Sequence, residues 1–478
     1  MAKEKSIGIT AKKADDMPEW YGQVVLKSGL ADYAPVKGCM VIRPYGYAIW
    51  QKIMDYFNSR LEKIGAENAY FPLFIPESFF KKEAEHAKGF SPEVAWVMNR
   101  DESQERLALR PTSETIMYDS YSRWVRSWRD LPLRINQWCN IIRWEVSDVK
   151  LFLRSREFLW QEGHCVYETK EQCDRETLMM LDEYEKLCND LLALPMLKGK
   201  KTEKEKFAGA LYTTTIEAFM PDGKALQCGT SHNLGQGFAK AFGISYLGKD
   251  GKTNTPWQSS WGFSTRLIGA MVMQHSDDKG LVLPPNIAPV QAVIIPIIFE
   301  DTKAKVLKKA EEVKDNLKDV RVFLDDRDQY TSGWKFNEWE LKGVPVRIEI
   351  GPKDVEKDQA IVVRRDTGKK EPVKIADLSK KIKTLLENIQ DDLLNKAKKF
   401  LKDSIVEAKS WKDFEKVIKN KKIAKALFCG NTDCEDNIKA ETEGGNSRCI
   451  PFGKEDIKGK CVHCGKEAKF TVYFSKSY

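Results

Sequence analysis

Two stretches of the chain alternate in polarity and lie close together: Ile135-Asn-Gln-Trp-Cys-Asn-Ile-Ile-Arg-Trp-Glu145 and Arg156-Glu-Phe-Leu-Trp-Gln-Glu-Gly-His164, separated by a polar loop. Read with a two-residue period, Gln137, Cys139, Ile141, Arg143 and Glu145 share one face of the first run. Arg156, Phe158, Trp160, Glu162 and His164 share one face of the second. The spacing predicts a long antiparallel hairpin. Charged residues on its aromatic-bearing faces carry a desolvation penalty unless a ligand or partner neutralises them, so the hairpin is a candidate site. Arg143 with Arg154 or Arg156 offers planar donors for phosphate oxygens, and Phe158 offers a flat face for a base.

Helical periodicity covers Trp20–Leu30, Tyr45–Ile64 and Cys173–Leu192. The second has Ile49, Ile53, Phe57, Leu61 and Ile64 on one side and Gly65 as its stop. Cys39–Arg43 and Ala66–Pro72 read as extended, the latter because a residue before proline avoids the helical region. Glu93–Met98 reads as a strand, and Leu107–Thr115 opens a helix with Thr112, Ser113 and Glu114 crowded at its start. Simple N-capping explains one such hydroxyl but not the whole cluster. The charge run Lys198–Lys206 is expected to be a solvated loop. Leu226–Gly235 carries Gln227, Thr230 and His232 around Gly229, a poor core strand but a good ligand floor, because glycine lets a backbone approach closely. In Trp257–Met273 a strand containing Gly262 leads into an apolar helix with Arg266 at its start, where the helix dipole opposes a cation unless an anion recruits it.

Gly280–Pro289 is a proline-rich boundary. Beyond it strands at Val290–Ile298, Val320–Leu324 and Val346–Ile350 alternate with helices at Ala304–Leu317 and Trp334–Leu341, the pattern of a small α/β domain. Lysine-rich amphipathic helices are expected around Ile405–Ile418, and a strand at Ala468–Phe474. Domains are therefore expected at 1–285, 286–400 and 401–478.

At 478 residues the chain needs more than one core. Its 42% hydrophobic and 31% charged residues are those of a soluble globular protein. No apolar run approaches membrane-spanning length, and Met1–Lys5 has no apolar segment after it, so neither membrane nor export is indicated. The net charge of +8 is local: residues 301–428 hold 32 Lys+Arg against 24 Asp+Glu, leaving 46 of each elsewhere. That excess suits a polyanionic partner, although solvated lysine faces give the same count. Six of the eleven cysteines are scattered without framework spacing, which fits a reducing compartment. The other pattern is Cys429-x4-Cys434 with Cys461-x2-Cys464, the spacing of a tetrahedral thiolate zinc site. Cys449 and His463 are spare potential ligands.

Arg-x-Glu on a strand, a loop, then Arg-Glu-Phe resembles motif 2 of the class II aminoacyl-tRNA synthetases. The wording Arg156–His164, with Arg110-Pro-Thr-Ser-Glu-Thr115 upstream, is similar to the prolyl-tRNA synthetases of the archaeal and eukaryotic type. The helix and strand ending at Pro72 resemble motif 1, Trp257–Met273 resembles motif 3, and residues 286–400 resemble a class IIa anticodon-binding domain. The resemblance implies an α+β fold: an antiparallel-sheet catalytic domain, an α/β anticodon-binding domain, and a small α/β zinc-binding C-terminal domain.

It also implies ATP-dependent proline–tRNA ligation, in which prolyl-adenylate forms with release of pyrophosphate and proline passes to the 3′ end of tRNA(Pro). Arg143 and Arg266 would be catalytic. Thr112, Glu114, Arg143, Phe158, Trp160, Phe207 and His232 would bind proline. Arg143, Glu145, Arg154, Ser155, Phe158, Gln227, Thr230, Ser264 and Arg266 would bind ATP with Mg²⁺. Glu340, Arg347 and Lys353 would contact the anticodon. Cys429, Cys434, Cys461 and Cys464 would hold a structural Zn²⁺. A cytoplasmic homodimer built through motif 1 is expected. Only about ninety residues separate Gly163 from Trp257, too few for an editing domain beside the pocket elements. The closing Ser-Tyr resembles a terminus that folds back toward the catalytic pocket, which places Tyr478 near the active site. Two other readings remain at this point: another class IIa specificity, threonyl or histidyl, and a tRNA-binding or regulatory paralogue without activity.

Overall fold

Leu133–Ile142 and Glu157–Tyr167 form the hairpin that the alternation predicts, paired antiparallel from Leu133 opposite Val166 to Ile142 opposite Glu157. Gln137 faces Glu162 and Cys139 faces Trp160, as the two-residue period requires. The regular ladder ends at Ile142, so Arg143 and Glu145, expected on the strand, stand in the turn beyond it. The Arg143 N–H still donates to the Arg156 carbonyl at 2.6 Å, and the Arg156 N–H is drawn to the Gly38 carbonyl at 2.7 Å. The turn is thereby opened and its arginines are released from strand packing. The computed structural model describes residues 8–80, 93–98, 101, 103–453 and 457–478. Residues 1–7 of the polar N-terminal lead, and residues 99, 100 and 102 after the predicted strand at 93–98, lie outside them.

Among the described residues the hairpin belongs to an eleven-stranded sheet and lies one strand in from its edge. Glu67–Asn68 lies at one edge, parallel to the hairpin's first strand. On the other side come Trp257–Ser264, Lys224–Gly235, Tyr212–Phe219 and Leu197–Lys200, all antiparallel. Two long helices cover one face. Pro44–Ile64 begins with proline in its first turn and ends at Gly65 with φ 69°, and it buries Ile49, Ile53, Phe57 and Leu61. Lys170–Leu192 starts three residues before the predicted Cys173, because Thr169 and Gln172 form a capping box. Phe57 packs against Tyr184 and Phe263 with ring centroids 5.4 and 5.1 Å apart, and Trp50 meets Trp138 edge-on at 5.5 Å. The first helix is Met17–Lys27, earlier than its apolar spacing suggests, since Asp16 caps it and Pro18 fits its first turn.

The α/β unit has strand order Val322–Leu324, Ala292–Pro296, Val346–Ile350, Gln359–Arg364 and Lys370–Lys374. The first three are mutually parallel and the last two antiparallel. Its last helix, Ile375–Ser404, runs through residue 400 without a break. The helix expected around Ile405–Ile418 is divided. Ile405–Glu407 is a strand pairing with Ile423–Lys425, and Trp411–Lys419 is a helix capped by Ser410. The β-branched Ile405 and Val406 suit the sheet edge better than a helix end.

The C-terminal strands do not form a separate sheet. Asn446–Pro451, Phe470–Ser477, Ile423–Phe428 and Ile405–Glu407 continue the same sheet beyond Leu197–Lys200. Ile450 and Pro451 pair with Lys200 and Gly199, and a Cβ on Gly199 would stand 2.2 Å from the Ile450 carbonyl oxygen. The charge run Lys198–Lys206 is thus partly strand rather than a solvated loop, and Lys201 is buried. Its ammonium lies 2.6 Å from Glu217, which also accepts from Arg448 at 2.6 Å across the junction with the C-terminal strands. Burial pushes the Glu217 carboxyl up, but the Arg448 and Lys201 charges outweigh it and hold it below the usual range.

Glu217→Ala leaves two buried cations unpaired and should destabilise the joined sheet by about 3–5 kcal/mol, read as a lowered denaturation midpoint. Because the folded carboxyl titrates below its ordinary value, the wild-type margin should fall as pH drops through the folded pKa, and the variant should lose that dependence. A midpoint and pH dependence equal to the wild type would show that the triad does not hold the junction.

Candidate active site

Three rows of side chains cross the uncovered face of the sheet. The first runs His232, Ser260 and His164; the second Thr230, Gly262, Glu162 and Gln137; the third Ser264, Trp160 and Cys139. Each row is one rung of an antiparallel ladder, so strand alternation alone brings together residues distant in sequence. Two adjoining cavities stand on these rows. One, of about 390 Å³, contains Arg143, Glu145, Arg154, Ser155, Phe158, Gln227, Thr230, Ser264 and Arg266, all nine residues expected for ATP. The other, of about 280 Å³, contains Thr112, Glu114, Arg143, Trp160, Phe207 and His232. Phe158, also expected on the proline side, lines only the larger cavity, where its ring meets Trp160 edge-on at 6.1 Å. Arg143, Trp160, Gln227, Thr230 and Gly262 line both.

Arg143 lines both cavities at this junction, and its buried Nε has no hydrogen-bond partner among the described residues. Arg266 opens the helix Arg266–His275, and its guanidinium donates to the carbonyls of Leu153 and Gln227, both at 3.0 Å. Burial, together with the neighbouring charges of Arg154 and Arg143, pulls its pKa down although Cys228 and Glu217 act the other way. Clustered cations in a cleft concentrate field for an anion. A Cβ on Gly262 would lie 2.9 Å from the Gln161 carbonyl oxygen, so glycine is required where the strands carry the cavity floor.

In the smaller cavity the Thr112 hydroxyl donates to Glu114, and Ser113, which does not cap the helix Glu114–Trp124, donates instead to Glu162. The crowding at Arg110–Thr115 is therefore a side-chain network. His232 Nδ1 lies 2.9 Å from the Thr213 hydroxyl, and the ring packs on Phe207 at 4.9 Å. Burial, then the neighbouring His164, pushes His232 down to about 3, so it is neutral near pH 7.

Several lining residues escape the motif reading. Glu205, Thr213, Ser260 and Trp261 join the smaller cavity, as do Glu162 and His164, whose unusual polarity on the hairpin face is visible in the alternation. Tyr478, by contrast, is the residue that the resemblance of the closing Ser-Tyr puts near the active site, and it lines the larger cavity. Its hydroxyl donates to Asp222 at 2.6 Å, and its strand, Phe470–Ser477, runs parallel beside Lys224 and Ala225. No local signal in the tail reveals that pairing.

Elsewhere, Glu340 and Arg347 line a pocket of about 130 Å³ in the α/β unit. Arg347 is ion-paired with Glu349 at 2.9 Å and stacked over Phe336 at 4.4 Å. Lys353 lies outside that pocket, in the short helix Pro352–Glu356. Cys429, Cys434, Cys461 and Cys464 converge with all four sulfurs within 4.8 Å of one another. The Cys434–Cys461 and Cys429–Cys464 separations are 3.8 and 3.6 Å. Cys449 is buried in another cluster, with Leu197 and Phe219, and takes no part. His463 turns toward the group, its Nδ1 3.3 Å from the Cys434 sulfur and its Nε2 3.1 Å from Glu441.

Three family models match consecutive parts of the chain. They are a tRNA synthetase class II core domain (G, H, P, S and T) at residues 95–275, an anticodon binding domain at 291–385, and a prolyl-tRNA synthetase C-terminal domain at 411–478. The Proline--tRNA ligase of Alkaliphilus oremlandii is 53% identical over 97% of this chain and 96% of its own. The Proline--tRNA ligase 2 of Clostridioides difficile is 50% identical over 98% of this chain and 97% of its own. A crystal structure of prolyl-tRNA synthetase from Cryptosporidium parvum, complexed with halofuginone and AMPPNP, is 44% identical, covers 99% of this chain and 98% of that one, and superposes with a TM-score of 0.94. With full-length relatives at this identity and class II core, anticodon-binding and C-terminal segments in the same order, the chain belongs to the prolyl-tRNA synthetase family of class II.

Proposed function

We propose that this chain activates L-proline with ATP and transfers it to tRNA(Pro), with the larger cavity holding ATP and the smaller one proline. The observation that carries the assignment of the two cavities is the unpartnered Arg143 Nε where they meet. The carboxylate of an amino acid and the α-phosphate of a nucleotide must come together at that point for adenylate to form. The AMPPNP bound by the Cryptosporidium enzyme supports a nucleotide on this fold.

Proline's protonated secondary amine has two N–H donors, which the Thr112 hydroxyl and the Glu114 carboxylate would accept. Trp160, Phe207 and the neutral His232 would enclose its ring. The carboxylate is already ionised near pH 7 and needs no general base to attack the α-phosphate. Arg143 and Arg266 then oppose the charge that develops as pyrophosphate leaves, so the residues act by positioning and by electrostatics. Mg²⁺ would accompany the ATP phosphates and neutralise their charge. Glu145 is the one acidic side chain among the described residues of the larger cavity that could approach it.

The other assignments belong to the same reading. Domains would divide near 285 and 400, with Glu340, Arg347 and Lys353 meeting the anticodon. Motif 1 would form a homodimer, a surface on which the exposed Tyr47, Tyr70 and Phe74 would be covered; sedimentation at a monomer's mass would refute it. No editing in cis is expected, and rapid deacylation of alanyl-tRNA(Pro) by the purified chain would overturn that. The free state of all eleven cysteines supports a cytoplasmic site of action.

A tetrahedral Zn²⁺ with bonds of about 2.3 Å sets sulfurs about 3.8 Å apart, which the observed separations fit. Cys429, Cys434, Cys461 and Cys464 would hold it as a structural ion, with His463 contacting the Cys434 sulfur from outside the ligand set.

ATP–pyrophosphate exchange across a panel of proline, threonine and histidine should respond to proline alone. Arg143→Ala should reduce that exchange by about 10²–10³ in a folded protein; near-normal exchange would remove Arg143 from the chemistry. Metal analysis should find about one zinc per chain, lost in Cys434→Ser and kept in Cys449→Ser. The reverse pattern, or no zinc, would refute the ligand set.

A further inference from the structure

In the wall of the smaller cavity lies a buried carboxylate–imidazole pair that the proposed chemistry does not use. Glu162 and His164 are each 2% exposed and stand on the same strand face, with His164 Nε2 3.0 Å from Glu162 Oε2. The other Glu162 oxygen accepts from Ser113, and from Gln137 Nε2 at 3.1 Å. Gln137 Nε2 also lies 3.1 Å from the Ser113 hydroxyl, and its carbonyl accepts from the Phe71 N–H at 2.5 Å. Ser113 is the residue between Thr112 and Glu114, the two groups that would clamp the proline ammonium.

We propose that Glu162 and His164 are positioning residues for that clamp: a charge-compensated pair that fixes Ser113, and through it Thr112 and Glu114, while leaving Glu114 as the carboxylate available to the substrate amine. The proposal rests on the smaller cavity being the proline site. Two carboxylates beneath one ammonium would offer it two positions. Pairing Glu162 with a buried cation removes the second, so the amine is held where the substrate carboxylate reaches Arg143.

The surroundings of His164 are consistent with a proton held on both ring nitrogens. Nδ1 lies 3.1 Å from the Tyr118 hydroxyl on the helix Glu114–Trp124, which can accept from it. Glu114 opens that same helix. Across the sheet stand Ser260 on one side and Ile135 on the other, and His232, beyond Ser260 on the second strand over, is neutral near pH 7. Burial pulls the His164 pKa down, but the hydrogen bond to Glu162 and the charges of Glu114 and Glu162 outweigh it and raise it above the ordinary histidine value. Burial likewise pushes Glu162 up, while His164, Ser113 and Gln137 hold it below the usual carboxylate range. The compensated state is therefore complete below the ordinary histidine pKa and is lost as pH rises through the higher folded value.

The test is proline- and ATP-dependent pyrophosphate exchange by the full chain carrying His164→Gln, Glu162→Gln, or both. His164→Gln leaves Glu162 buried without its cation and should raise the KM for proline about tenfold, with the KM for ATP within about twofold of wild type. The double variant restores neutrality and should recover most of that loss, a non-additivity that lost packing would not produce. In wild type, kcat/KM for proline should show an alkaline fall that the double variant lacks, apart from the limb due to the substrate's own amine. An unchanged proline KM in His164→Gln, an equal rise for ATP, or a double variant worse than the single would overturn the proposal. Should His164→Gln fail to fold, an alkaline limb of the same shape in wild type and Glu162→Gln would overturn it as well. Absence of any proline-dependent exchange in wild type would instead refute the assignment of the cavity to proline.

Discussion

The structure depends on one antiparallel sheet having to serve as core on one face and as a polar floor on the other. Along Glu157–Tyr167, Gln161 points to the helices, where it accepts from Tyr184 at 2.8 Å, whereas Trp160, Glu162 and His164 point to the cavities. The same division gives Trp138 and Phe263 to the helices Pro44–Ile64 and Lys170–Leu192, and leaves Ser260, Gly262 and Ser264 on the open face. Side chains of adjacent residues leave a strand on opposite faces, so no functional group can be moved by one position without entering the core.

Burying polar groups on such a floor is tolerable only when each finds a partner or a ligand. Most find protein partners: Glu162 has Ser113, Gln137 and His164, and His232 has Thr213. The unpartnered groups among the described residues include Arg143 Nε, the Ser260 hydroxyl and the Trp261 N–H, whose residues line the cavities, and the Gln258 amide, which does not. Close packing accompanies this arrangement. A Cβ on Gly163 would lie 2.1 Å from the Trp261 ring, so glycine there lets the indole fill the space beside the floor.

The same sheet gives the C-terminal segment its part in the site. Strand Phe470–Ser477 is antiparallel to Ile423–Phe428 and Asn446–Pro451, then parallel to Lys224–Ala225, which delivers Tyr478 to the wall of the larger cavity. The Lys201–Glu217–Arg448 triad joins these strands to the catalytic half through charges that have lost their water. A pair of that kind sets register more than it adds stability, because partners drawn from other positions would leave a charge unpaired.

What the sequence determined by itself was whatever short-range periodicity and residue chemistry encode. That includes the hairpin, the helix ending at Gly65, the strand-to-helix passage at Arg266, the alternating α/β unit and the two cysteine pairs. The nine residues expected for ATP come from short motifs, and all nine line one cavity. Only tertiary structure decided that Arg143 leaves the strand, that Lys201 is buried, that Phe158 lines the larger cavity alone, and that His463 turns inward to Cys434. Only it decided that the C-terminal strands extend the catalytic sheet. Those outcomes depend on hydrogen bonds and ion pairs between residues, some of them more than about 200 positions apart, as with Glu217 and Arg448. A local pattern records which face a side chain takes, but the partner that meets it there is set by strand order.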